Sequence, residues 1–274
     1  MFISPIIREW LRPAGLASLA ALVAFSSPTF GDPSNLDKPA DREEMLRLDT
    51  EYGKRIAANA DDARLYLKRG EVRFRLHDFE NAIEDFDRAI RLDSRLDDAY
   101  FGRGMALGRS GHIDEGIADL GVYIRRHPGS SLAYTKRGVR YIWKGDLEKA
   151  EKDLARAIAV DPANAEAHDD LGVIMAQRGN YPAAENHFLS TIALDPSYQK
   201  AYHNLAMVYY ITNNNREALG AVDKALELIP ESRDSLLLKA TILDGIGRHI
   251  EAEKIRADAE FLAPGNPTER SPIQ

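Results

Sequence analysis

Residues 131–164 read SLAYTKRGVRYIWKGDLEKAEKDLARAIAVDPAN, and residues 165–198 read AEAHDDLGVIMAQRGNYPAAENHFLSTIALDPSY. The two stretches align without a gap, setting Gly138 over Gly172, Gly145 over Gly179, Ala150 over Ala184, Leu154 over Phe188 and Pro162 over Pro196. Working outward, prolines recur at 128, 162, 196, 230 and 264, each 34 residues after the last. With proline at about 5% of average sequence, four such coincidences have odds on the order of 10⁻⁵, so a repeat places them and composition does not.

Counting Ala63 as position 1, six units follow with nothing inserted: 63–96, 97–130, 131–164, 165–198, 199–232 and 233–266. Position 8 is Gly70, Gly104, Gly138, Gly172, Ala206 and Ala240; position 20 is Ala82, Gly116, Ala150, Ala184, Ala218 and Ala252. Position 27 is Ala89, Tyr123, Ala157, Thr191, Ala225 and Ala259, whereas position 4 is large in every unit. Each unit reads as a helix with few breakers, a turn such as Lys144-Gly145-Asp146, and a second helix ending near the proline. Small residues at 8, 20 and 27 let helices approach where larger side chains would hold them apart. In the second unit Gly116 and Tyr123 reverse the expected volumes, and Tyr123 is expected to fill the room that Gly116 leaves.

Large at 4, small at 8, large at 11, Ala at 20, aromatic or aliphatic at 24, Ala at 27 and Pro at 32: this pattern resembles the tetratricopeptide-repeat family over residues 63–266. The resemblance implies an all-α fold, a right-handed α-solenoid of six helix–turn–helix repeats. Ser94, in place of the first proline, is a local departure. Residues 32–62 are expected to hold a linker and an N-terminal capping helix over 41–58. Asp41 and Glu44 there form a capping box, with Met45, Leu48, Tyr52 and Ile56 on one face. At the other end Arg256 takes position 24, where earlier repeats carry Phe86, Leu120, Leu154, Phe188 and Val222; a charge there says the stack ends. A polar, disordered tail is expected over 267–274.

The first 31 residues have the order of a secretory signal: Arg8 and Arg12, the apolar run 16–25, then small residues before Asp32. The apolar run is far shorter than a membrane span, so a cleaved signal and a periplasmic or secreted location are expected. A formal charge of −7 argues against nucleic acid as the main partner. The absence of cysteine removes disulfides, thiolate metal sites and thiol nucleophiles.

Little else carries chemistry. The seven histidines form no local metal-ligand pair, although His168 and His203, at positions 4 and 5 of neighbouring repeats, could approach each other. Adjacent carboxylates such as Asp169 and Asp170 read as a solvated helix face. No metal, cofactor or enzymatic activity is expected. One polar pattern is structural: position 7 is Arg69, Arg103 and Arg137 and position 23 is Asp85, Asp119 and Asp153 in repeats 1–3, and both residue types vanish together in repeats 4–6. An Arg–Asp ladder follows as an expectation.

At about 100° per residue, positions 2, 5, 9, 12 and 13 of the first helix share one face. In the resembled family that face lines a concave groove for peptides. Here it supplies Phe74, Arg75, Phe101, Met105, Arg109, Ile142, Trp143, Gln177, Met207 and Tyr210 as the candidate peptide-binding residues. The face is basic in repeats 1 and 2 and acidic in repeats 4–6, through Glu166, Asp169, Asp234 and Asp244. The family's clamp for C-terminal carboxylates, Lys at 5 and Asn at 9, is absent: Leu67 and Glu71, Phe101 and Met105, Thr135 and Val139 stand there. The leading expectation is a non-enzymatic adaptor that binds a protein or peptide, with no nucleic acid and no membrane span after signal cleavage. Its rivals are a self-associating solenoid (a homo-oligomer) and a small-molecule carrier or enzyme.

Overall fold

The structure is a computed structural model that describes residues 39–262, so the expected signal segment, linker start and C-terminal tail lie outside the described residues. Thirteen helices and no strands are present among them. They are α1 (Pro39–Ala58), α2 (Ala63–Arg75), α3 (Phe79–Leu92), α4 (Asp97–Arg109), α5 (Ile113–Arg126), α6 (Ser131–Lys144), α7 (Leu147–Val160), α8 (Ala165–Gln177), α9 (Tyr181–Leu194), α10 (Gln199–Ile211), α11 (Asn215–Leu228), α12 (Arg233–Gly245) and α13 (His249–Glu260). They fall into two compact units, 39–153 and 154–262, divided within α7. In each unit the two helices of a repeat pack on one another and the second helix packs on the next repeat.

The turn between paired helices uses the same left-handed residue six times. Position 15 has positive φ in every repeat: His77 at 62°, Gly111 at 90°, Gly145 at 82°, Gly179 at 76°, Asn213 at 63° and Gly247 at 82°. Glycine takes that conformation without Cβ strain, and asparagine tolerates it better than most. The next helix then starts at once, and the loop between repeats often ends in a side-chain cap. Asp62 accepts from Arg64 N at 2.9 Å and Asn164 from Ala167 N at 2.9 Å.

Close helix approach explains the small positions. A Cβ on Gly70 would lie 2.8 Å from the Phe86 ring, and one on Gly172 would lie 2.6 Å from the Phe188 ring. Both phenylalanines are fully buried, each worth about 2–3 kcal/mol of transfer free energy. In repeat 2 the helices meet backbone to backbone: a Cβ on Gly116 would sit 2.8 Å from Gly104 O. Gly116 therefore leaves no room for Tyr123. That ring instead packs 5.0 Å from Phe101 and 4.5 Å from His127.

At the N-terminus α1 begins at Pro39, two residues before the expected cap. It covers repeat 1 by packing Met45, Leu48 and Tyr52 against Val72 and Leu76. At the C-terminus Arg256 pairs with Asp244, but α13 still leaves Ile250 and the adjoining Phe261 at 86% and 89% exposure. The last helix is thus less polar than its Arg256 suggests.

The Arg–Asp ladder is present in the 39–153 unit. Arg69 donates to Asp85 at 2.8 and 2.7 Å, Arg103 to Asp119 at 2.7 and 2.9 Å, and Arg137 to Asp153 at 2.7 and 2.8 Å. Each is a two-bond fork on a buried carboxylate. Tyr66, Tyr100 and Tyr134 at position 4 each lie under the same guanidinium, 5.7 to 5.9 Å away. The ladder branches: Arg73 joins Asp49 of α1 at 2.8 Å to Asp85 at 2.9 Å, and Arg103 also reaches Asp87 at 2.7 Å. Removing one partner strands the other in a half-buried site. Asp119→Ala is therefore expected to cost about 3 kcal/mol in urea unfolding, and a cycle with Arg103→Ala to return a coupling of about 1–3 kcal/mol. A coupling indistinguishable from zero would show that the pair is ornamental.

Candidate interaction surface

The first helices of repeats 1–5 carry the candidate residues. In the 39–153 unit these are Phe74 and Arg75 on α2, Phe101, Met105 and Arg109 on α4, and Ile142 and Trp143 on α6. Phe74, Phe101, Met105 and Ile142 are buried, at most 3% exposed. Arg75, Arg109 and Trp143 are half-buried and remain in reach of solvent. The structure knits several of them together. Phe74 lies 5.5 Å from Phe79, and the Arg109 guanidinium sits 5.7 Å over the same Phe79 ring. Arg140 donates to Met105 O at 3.2 Å and lies 5.1 Å over the Trp143 ring. The Nε of Arg75 has no hydrogen-bond partner among the described residues.

Two fully buried cations on α6, Lys136 and Arg140, are absent from the sequence-derived set. Position 6 was legible, because 100° per residue places it only about 20° from position 13 on the same face. Arg140, at position 10, is explained only by its contacts. It fills the space over Gly108, where a Cβ would lie 2.5 Å from its Nε.

In the 154–262 unit the candidates are Gln177 on α8 and Met207 and Tyr210 on α10. Met207 is buried in the core with Val173, Val208 and Leu238, with Tyr210 packed half-buried against that core. Gln177 is half-buried, and its Nε2 has no partner among the described residues. The first helices here are unusually polar inside. Asp169 and Asp170 are both 0% exposed, which overturns their reading as a solvated face. Glu166, Asn204, His203 and Ser235 are buried with them. Asn204 Nδ2 donates to Asp169 Oδ1 at 3.2 Å, and Ser235 Oγ is 3.0 Å from His203 Nδ1 and 2.9 Å from the Gln199 amide.

Burial pushes the Asp169 carboxyl up to about 7, against the pull of Lys200 and of the Asn204 amide, with Glu166 adding to the rise. Burial also drives the His203 ring down to about 4, with Lys200 lowering it further and Asp234 opposing. His168 does not meet His203. Its Nδ1 lies 3.3 Å from Nδ1 of His187, at position 23 of the same repeat, where the ladder's aspartates stand in repeats 1–3. Burial and the His168 ring lower the His187 pKa.

Among the described residues no three His, Asp or Glu side chains are placed to hold a metal, and no helix is long and apolar enough to cross a membrane. Tetratricopeptide-repeat family models match residues 52–97, 67–131 and 135–199, and a second such model matches 200–229. Over half of the chain is covered, and the chain belongs to the tetratricopeptide-repeat family. Proteins of this family are typically interaction scaffolds without enzymatic activity. No curated protein matches the sequence.

Similar solved structures share the fold. A chain of the APC/C hetero-tetramer Cut9–Hcn1 matches at 16% identity and a TM-score of 0.73 over 87% of this chain, which spans only 46% of that one. A tetratricopeptide-repeat protein from Parabacteroides merdae matches at 17% identity and a TM-score of 0.68, covering 84% of this chain and 91% of its own. YrrB, described as having an unusual peptide-binding site, matches at 24% identity and a TM-score of 0.51, covering 68% of this chain and 95% of its own.

The two shifted groups make opposite contributions to stability. For Asp169 the folded pKa exceeds the unfolded one, so its contribution is whole below about pH 4 and is lost as pH rises through 7. For His203 the folded value is depressed, so its contribution is whole above about pH 6.5 and is lost as pH falls through 4. Asp169→Asn keeps an acceptor for Asn204 and removes the buried charge. It should match the parent near pH 4 and exceed it by about 2–4 kcal/mol at pH 8 in unfolding experiments. Equal stability at both pH values would mean that Asp169 is solvated.

Proposed function

We propose that this chain is a non-enzymatic scaffold that binds a peptide or protein segment along the first-helix face of its repeats, in the periplasm or outside the cell. The observation that carries this reading is the cationic–aromatic surface of the 39–153 unit. Arg75, Arg109 and Trp143 are half-buried there over a packed floor of Phe74, Phe79, Met105 and Arg140. Arginine and tryptophan on a rigid apolar base are the side chains that most often anchor protein interfaces. Family membership supports the scaffold role, and the basic, apolar, small order of residues 1–31 supports export. YrrB, with its peptide-binding site, is a fold-level precedent for peptide capture. The absence of a Lys-and-Asn clamp points away from free C-terminal carboxylates as the ligand.

Replacing Arg109 and Trp143 together by alanine should leave helicity intact while at least tenfold less partner is retained from a native envelope fraction. Equal retention by the variant would remove this face from the account.

A further inference from the structure

The three ladder carboxylates set an internal standard for buried aspartate in this chain. Asp85, Asp119 and Asp153 are 3%, 7% and 7% exposed, and each receives two hydrogen bonds from one guanidinium. Asp169 is buried more deeply than any of them, yet it receives one amide hydrogen from Asn204. Its Oδ2 has no partner among the described residues, and neither has Oδ1 of Asn204, itself fully buried. The two side chains are joined at 3.2 Å, and each keeps one acceptor without a partner among the described residues. Leaving such acceptors unmet costs about 1–3 kcal/mol each, more for a charge.

Their surroundings are anionic. Glu166 and Asp170 on α8 and Tyr198 before α10 stand around Asp169, and Lys200 on α10 favours its charged form. Positions 5 and 6, which Asp169 and Asn204 occupy, share the first-helix face proposed above to bind the polypeptide.

We infer that the Asp169–Asn204 pair is a recognition site for a cationic side chain, an arginine or lysine, of the bound polypeptide. The inference rests on the scaffold reading above and assigns the chemistry of its ligand. Arginine suits it best, because a planar guanidinium offers parallel N–H groups to two neighbouring acceptors. A long apolar stem lets such a head reach a buried pair while the peptide backbone stays outside. Docking supplies Asp169 with the partner that arginines of the chain itself supply to Asp85, Asp119 and Asp153. The site also holds a proton near neutral pH, and a bound cation expels it.

The test uses the full chain and three sets of capped peptides of equal length, basic, neutral and acidic, followed by calorimetry. Basic peptides should bind, with at least a tenfold loss when arginine is replaced by citrulline and a similar loss in Asp169→Asn. The exposed control Glu231→Gln should bind as the parent does. At pH 7 binding should release a fraction of a proton, read from two buffers of different ionisation enthalpy, and affinity should fall at pH 6. The Asp169→Asn chain is expected to be the more stable one, so lost binding there is not lost folding. Binding of neutral or acidic peptides alone would overturn the inference and spare the scaffold reading. Binding of spermidine without peptide, or equal binding of the citrulline peptide, would overturn it too. Silence from all three sets would overturn both readings.

Discussion

In repeats 1, 2 and 4 the paired helices approach so closely that a single methyl group does not fit at position 8. Gly172 faces the Phe188 ring with no space for a Cβ, and Gly116 faces the backbone oxygen of Gly104. This constraint makes the two helices one rigid element, and the rest of the architecture follows from it. Because positions 8 and 20 are in contact, positions 7 and 23 meet on the flank of the same pair. An arginine and an aspartate there form a fork whose geometry needs no search. The same closeness forces the intervening turn into a left-handed residue, hence glycine or asparagine at five of six positions 15 and a histidine at the sixth.

The two units treat positions 7 and 23, and the charge they bury, differently. Residues 39–153 match each buried carboxylate with a guanidinium, stack that guanidinium on a tyrosine, and extend the first two pairs through Arg73 to Asp49 and through Arg103 to Asp87. Residues 154–262 have no such forks. Leucine and paired histidines replace them in repeat 4, and the buried acidic groups Glu166, Asp169 and Asp170 stand at positions 2, 5 and 6 of α8. Matched charge contributes rigidity and little specificity for others, whereas an unmatched charge costs stability until something fills it.

The period, the paired helices and the ladder were all legible in the sequence, since each repeats and the Arg and Asp types disappear together. The covering face of α1 was legible for the same reason: Met45, Leu48 and Tyr52 recur at helical spacing. What escaped was depth. Adjacent carboxylates at 169 and 170 look like a solvated helix edge, and nothing local says that α10 closes over them. Five of the ten candidate groove residues, Phe74, Phe101, Met105, Ile142 and Met207, lie in the interior, because their face angle was readable and their distance from solvent was not. Tyr123 was assigned to a void that the backbone of Gly104 occupies. Pairing of His168 with His187 joins positions 4 and 23, where the ladder joins 7 and 23, so the ladder pattern did not foretell it.

Asp169 is a buried carboxylate that the described chain leaves without a guanidinium. Carbon-detected NMR of the Asp169 side-chain carboxyl across pH 3 to 9 tests this directly. Titration near pH 7 in the free protein, moving well below that when an arginine peptide is added, is the predicted result. Titration within the ordinary carboxylate range, unmoved by the peptide, would contradict it.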